Sequence, residues 1–286
     1  MANKIAFIAC SNAGLDYLDY PKDIRIFRSV IHFDNDDKGY DDFVDMDATT
    51  FYKRIIKDPN NVPKTSYVAP GKMLEIFKEL EVEGYNEVLV ITISSALSGL
   101  FEAVKRTVES EDVKIKVSVF DSKTLAYGQA YMVLEAHRMA KDGKSMKDIL
   151  RALEKIRDND KIYFAVDTLL YLVKNGRLSK IQGTLGTLLK LKPLLVIEDD
   201  GKVVTLEKIR TTHKAHERVL EKYFEDTKDK KVVTFISHAH YEDGAQWFKD
   251  RIQSVYKDRE VTIAPLTPVV GAHTGPKGIG IGYIKI

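Results

Sequence analysis

Glu87-Val-Leu-Val-Ile-Thr-Ile93 runs straight into Ser94-Ser-Ala-Leu-Ser-Gly-Leu100 and then Phe101-Glu-Ala-Val-Lys-Arg-Thr-Val108, and this stretch decides the fold. Its first block is a continuous apolar run rich in β-branched residues, as in a parallel strand buried on both faces. Its last block repeats apolar residues at helical spacing. Ser94, Ser95 and Ser98 therefore fall in the turn between the C-terminal end of a strand and the N-terminus of a helix. Open α/β sheets bind ligands at such turns, where the helix's first N–H groups are unpaired and carry positive partial charge. Three hydroxyls with free N–H groups suit an anion held without a full cationic partner, a small phosphate or a carboxylate.

Outward from this turn, apolar runs of two kinds alternate. Ile5 to Ala9, Ile24 to Phe33 and Lys116 to Phe120 read as strands; Phe51 to Ile56, Lys72 to Leu80, Thr124 to Lys141 and Ser145 to Arg157 read as helices. Asp121-Ser122 is expected to cap the third of these helices. The order is that of a parallel sheet with helices on both faces. After Asp158-Asn-Asp160 the pattern changes. Strand-like runs at 161–167, 194–198 and 203–208 include two joined by Asp199-Asp-Gly201, a strong hairpin signal. Helices at about 179–190 and 212–225 and strands at 231–236 and 260–264 follow. The expected fold is two-domain α/β: residues 1–160 a three-layer α/β/α unit, and 161–286 an α+β unit with a mixed or antiparallel sheet.

Composition narrows the function. Forty-four basic residues face 42 acidic ones, a net charge of +2, so bulk charge does not indicate nucleic acid. Between Tyr171 and His216, however, nine Lys/Arg stand against four acids, an excess suited to an acidic partner, a phosphorylated ligand, an anionic membrane surface or only solvent. The single cysteine, Cys10, excludes an internal disulfide and a multi-thiolate metal site. There is no secretory h-region and no apolar run of about 18–20 residues, so a cytoplasmic location is expected.

Most catalytic templates are missing. Gly-x-Ser-x-Gly does not surround Ser94, Ser95 or Ser98; neither the phosphate loop nor the dinucleotide fingerprint occurs; and His238 and His240 alone make no metal site. A lipid hydrolase or acyl transferase would use Ser98 with His273 as base, but no single Asp stands out to orient that histidine. Three further loops carry polar groups: Pro63-Lys-Thr-Ser-Tyr67, Asn175-Gly-Arg-Leu-Ser179 and the glycine-rich run 269–282 around His273. They offer hydroxyls, amides and one histidine, with no activated nucleophile.

In chain order, Thr65-Ser66, Ser94-Ser-Ala-Leu-Ser-Gly99, Val119-Phe-Asp-Ser122, Asp167 to Ser179, Leu189-Lys-Leu-Lys-Pro193, Lys208-Ile-Arg210 and Gly271-Ala-His-Thr-Gly-Pro276 resemble the motifs of the DegV family of bacterial fatty-acid-binding proteins. The resemblance implies a long-chain fatty acid in an apolar tunnel between two α/β domains and no cofactor. Its carboxylate would be held by Ser66 and Ser98, with Thr65, Ser95 and His273 in matching motifs. Arg177 and Arg210 match family arginines near the head-group end, where partner or phosphate contact is expected. The resemblance further implies a non-enzymatic subunit that presents the acid to an ATP-dependent kinase for acyl-phosphate and phospholipid synthesis, with transient contact to anionic membranes. A carrier or sensor without a kinase is the alternative. Burying about 14 methylenes at about 0.8 kcal/mol each offers on the order of 11 kcal/mol before binding costs, while the carboxylate must not enter the tunnel unpaired. The chain departs from the family pattern at Ala9-Cys10-Ser11, at Tyr67-Val68, and at Asn175, a residue type that tolerates left-handed geometry.

Overall fold

The computed structural model describes residues 4–110, 113–178 and 190–286. The first half contains β1 (Ile5–Cys10), β2 (Arg25–Phe27), β3 (Val30–His32), β4 (Tyr40–Asp41), α1 (Ala48–Lys57), β5 (Lys64–Ser66), α2 (Pro70–Val82), β6 (Glu87–Thr92), α3 (Leu100–Ser110), β7 (Lys116–Asp121), α4 (Ala126–Lys141) and α5 (Met146–Asp158). Strands β2-β1-β6-β7 form an all-parallel sheet. Every residue of β6 is buried, and strand alternation splits the apolar residues between two helical layers. Ala6, Ile8, Val88 and Val90 pack against α2 and α3. Phe7, Ala9, Leu89 and Ile91 pack against α4 and α5.

The strand expected over 24–33 is in fact two strands in different sheets. At the break, the Ser29 N–H donates to Ser11 Oγ at 3.2 Å, and the Ser29 carbonyl accepts from the Asp42 N–H at 2.9 Å. These bonds draw the chain out of the parallel ladder. β3 then joins β4 and β5 in a small antiparallel sheet, with Ile31 opposite Thr65. The expected Asp121-Ser122 cap is also corrected. α4 begins at Ala126, its N-terminus makes no side-chain capping bond, and Asp121 instead accepts from Ser95 and the Lys123 N–H.

The second half contains β8 (Asp160–Ala165), α6 (Leu170–Lys174), β9 (Leu194–Ile197), β10 (Val203–Glu207), α7 (Thr212–Thr227), β11 (Val232–His238), α8 (Glu242–Val255), β12 (Val261–Pro265), α9 (Pro268–Thr274) and β13 (Ile279–Lys285). Its six strands form a mixed sheet in the order β10-β9-β8-β13-β11-β12, in which only β11 and β12 pair in parallel. The β9–β10 hairpin forms as expected, with Gly201 at φ 80°. Most of the helix expected at about 179–190 lies outside the described residues. Sequence periodicity missed α8, α9 and the central strand β13.

One face of the six-stranded sheet is covered by α7 and α8, with Val219, Tyr223, Phe248 and Ile252 against Ile236, Ile281 and Tyr283. The other face, including Ile162, Val166, Leu195, Ile197 and Phe235, meets Leu97, Leu125 and Tyr127 from the first half. That face is covered by the turns above the parallel sheet, by the start of α4 and by α6.

Candidate functional site

Between the two sheets lies a cavity of about 310 Å³. Its floor is the inner face of the mixed sheet, with Ile162, Phe164, Val166, Ile197 and Val203. Helix α9 closes one side through Val269 and Val270, and Leu97 and Leu100 come from the turn that opens α3. Polar groups on its lining include Thr65, Ser66, Ser98, His273 and Arg177. Ser66, Tyr67 and Gly99 are exposed, which puts the mouth there.

The three serines of the central turn have different tasks. Ser94 is fully buried and donates its hydroxyl to the Gly201 carbonyl at 2.9 Å, joining the turn to the hairpin of the other half. A Cβ on Gly201 would lie 2.1 Å from Ser94 Oγ, so only glycine permits this approach. Ser95 does not line the cavity; its N–H and hydroxyl both donate to Asp121, at 3.0 and 2.6 Å. Ser98 does line it. Its oxygen accepts from the Leu100 N–H at 3.3 Å, which leaves the hydroxyl proton available to a ligand.

The loop around Thr65 and Ser66 is a strand, β5, rather than a turn. Thr65 Oγ1 lies 2.8 Å from His273 Nε2, and Ser66 Oγ lies 2.9 Å from His32 Nε2. His32 was not anticipated from sequence; its only signal was its place in an apolar run, and the β3–β5 pairing brings it here. Burial, then the neighbouring Arg177 charge, lowers the His273 pKa to about 3, so this imidazole is neutral near pH 7. Its Nδ1 is buried without a partner, and among the described residues no carboxylate orients it. The Ser98–His273 arrangement thus lacks the third group of a hydrolytic triad.

Arg177 and Arg210 are separated by the fold. Arg177 lines the cavity and donates to the carbonyls of Leu97, at 3.3 Å, and Asn175. Arg210 is exposed and outside the lining. The nearby acids in sequence are engaged by other residues, Glu207 by Arg218 and Glu217 by Arg251 and His213. The left-handed residue of the Asn175-Gly176 pair is Gly176, at φ 67°; Asn175 sits at φ −93°. The Gly176 and Arg177 N–H groups close the end of α6 on Val173 and Leu172. Asn175 Nδ2 instead donates to the carbonyls of Pro63 and Ala272, at 3.1 and 2.8 Å, fixing β5 and α9 beside each other. Ser179 lies outside the described residues.

Asn12 and Ser29 also line the cavity, and sequence reasoning missed both. Asn12 follows β1 as Ser94 follows β6, the one signal that marked it. Cys10 beside it is buried, its thiol pushed up to about 12 by desolvation, and takes no part. Among the described residues no group of three or more His, Cys, Asp or Glu is placed to hold a metal, and no helix is long and apolar enough to cross a membrane.

Fold and cavity together define a class: α/β proteins whose parallel and mixed sheets enclose an apolar chamber with a hydroxyl-lined mouth. A family model described as an uncharacterised protein of the DegV family matches residues 5–285. A DegV domain-containing protein of Clostridium acetobutylicum is 32% identical over 283 residues, 99% of either chain. The crystal structure of DegV, a fatty acid binding protein from Bacillus subtilis, matches with a TM-score of 0.86 at 30% identity over 99% of both chains. That of a fatty acid binding DegV family protein from Streptococcus agalactiae matches with a TM-score of 0.88 at 25% identity over 98% of both. The chain belongs to the DegV family.

Proposed function

We propose that this protein binds one long-chain fatty acid in the cavity between its sheets and holds the carboxylate at the mouth. The observation that carries this reading is the juxtaposition of an apolar chamber with the Ser98 hydroxyl, whose oxygen is engaged by Leu100 and whose proton is not. Ser66 and Thr65 add hydroxyls from β5, and neutral His273 orients Thr65. Arg177 supplies positive charge on the cavity wall, so the hydroxyls share the anion with a cation rather than hold it alone. Ser95 has no direct part, because its hydroxyl is committed to Asp121. The chamber is taken as the seam of two domains, 1–160 and 161–286.

The bound acid is presented to a separate ATP-dependent kinase that forms the acyl phosphate, and this chain performs no chemistry itself. A carboxylate at an exposed mouth is within reach of such a partner. Exposed Arg210, within the basic stretch, serves the partner or an anionic membrane rather than the acid. The hydrolase reading is weakened by the partnerless Nδ1 of His273. Gentle purification, lipid extraction and mass spectrometry test the proposal: about one long-chain fatty acid per chain is expected. No bound lipid and no affinity for added acids would sink it, and an acyl-serine adduct at Ser98 would replace it with the hydrolase reading. Co-expression with a cognate kinase and detection of acyl phosphate separates a kinase subunit from a simple carrier.

A further inference from the structure

Ser237 is a hydroxyl-bearing residue among those that line the cavity, at a strand position where apolar residues would suffice. It lies on β11, is 7% exposed, lines the chamber, and its Oγ has no hydrogen-bond partner. Its ladder neighbours are Gly280 on β13 and Ala264 on β12, neither of which brings a polar side chain. The surrounding lining includes Phe164, Leu266 and Ile279. A buried hydroxyl with no partner is destabilising, and native proteins pair such groups with protein, water or ligand. Alanine would fill the position without that cost. Ser237 is also distinct from the mouth, where Ser66, Tyr67 and Gly99 are exposed.

We infer that the ligand supplies the missing partner: the chamber accepts long-chain acids bearing an oxygen function, a hydroxyl or keto group, along the chain, and Ser237 hydrogen-bonds that oxygen. The inference rests on the chamber being a fatty-acid site. The hydroxyl O–H donates to the ligand oxygen, and a ligand hydroxyl can return the bond to Ser237 Oγ. An unsubstituted chain still fits, leaving Ser237 unpaired as it is here. Recognition of the chain oxygen therefore adds to, and does not replace, recognition of the carboxylate.

The test measures dissociation constants for octadecanoic acid and for a series of octadecanoic acids hydroxylated at successive chain carbons, in the native protein and in Ser237→Ala and Ser237→Thr. For at least one hydroxylated isomer, affinity relative to octadecanoic acid should fall about three- to tenfold in Ser237→Ala. Octadecanoic acid itself should bind the alanine variant as well or better, and Ser237→Thr should keep the native preference. An unchanged ratio for every isomer overturns the inference and leaves Ser237 to a buried water. Equal weakening of all acids overturns it too, by assigning Ser237 to the carboxylate. If the native protein binds neither octadecanoic acid nor any isomer, the fatty-acid reading itself fails and the inference falls with it.

Discussion

Ser98 and Ser95 are three positions apart, yet only Ser98 has a hydroxyl proton left for a ligand. A hydrogen bond to a charged group contributes about 1.5–3 kcal/mol, so Ser98→Ala should weaken fatty-acid binding roughly ten- to a hundredfold. Ser66→Ala should do the same, and Ser95→Ala should leave affinity unchanged. Displacement of a fluorescent fatty acid measures all three; unchanged affinity in both Ser66→Ala and Ser98→Ala would mean that the carboxylate sits elsewhere. The arginines divide in the same way. Arg177→Ala should weaken binding because Arg177 lines the cavity, whereas Arg210→Ala should retain lipid but lose acyl-phosphate formation or exchange with anionic vesicles, a loss that added salt should mimic. Wild-type turnover and exchange in Arg210→Ala would reduce the basic stretch to a solvated face.

The β9–β10 hairpin is the element that joins the two halves at the serine turn. Gly201 sits at φ 80°, and its carbonyl takes the Ser94 hydroxyl at 2.9 Å. Gly201→Ala adds strain at a left-handed position and a clash with Ser94 Oγ. It should cost more than about 1 kcal/mol, and the melting temperature should fall by a few degrees. Because the hairpin roots include Ile197 and Val203 on the cavity floor, bound lipid should also be lost more readily during purification. A melting temperature and lipid content equal to wild type would show that the hairpin contact is incidental.

The molecule as a whole carries buried ionisable groups that respond to pH in opposite directions. Asp42 is fully buried beside the Ser11 and Thr267 hydroxyls and the Val269 N–H, with no close hydrogen bond to its carboxyl oxygens. Burial pushes its pKa up to about 7, and Asp160 is pushed up to about 7 for the same reason. Each is protonated in the fold but ionised in the unfolded chain between about pH 4 and 7, so stability falls as pH rises through that window. His273, lowered to about 3, works the other way: between about pH 6.5 and 3 only the unfolded chain takes up the proton, so stability falls on acidification. Asp42→Asn removes the first effect at one site. Its melting temperature relative to wild type should be several degrees more favourable at pH 8 than at pH 5. An equal difference at the two pH values would show that Asp42 does not ionise in this range.

The linear chain determined those parts of the protein whose local residues suffice to specify them. The β6 run, the strand–turn–helix around Ser94 to Ser98, the Asp-Gly hairpin and the parallel order of the first half were all legible, because a buried parallel strand needs an unbroken apolar run and a tight turn needs glycine. β13 was not legible: Gly280 and Gly282 interrupt its apolar residues, and they are glycine because Phe164 and Phe235 occupy the space a side chain would take. Nor were β4 and β5, whose two or three residues carry no period and are held by β3, nor the break that sends β3 into a different sheet from β2. At the site, residue types were readable and assignments were not. Ser94, Ser95 and Ser98 are chemically alike, and only tertiary structure commits the first to Gly201 of the other sheet, the second to Asp121 on neighbouring β7 and the third to the cavity. His32, Asn12 and Ser237 come from distant points of the chain: the β3–β5 pairing sets His32 against Ser66, and Asn12 and Ser237 meet at the cavity only because the turns of the first half close over the inner face of the mixed sheet.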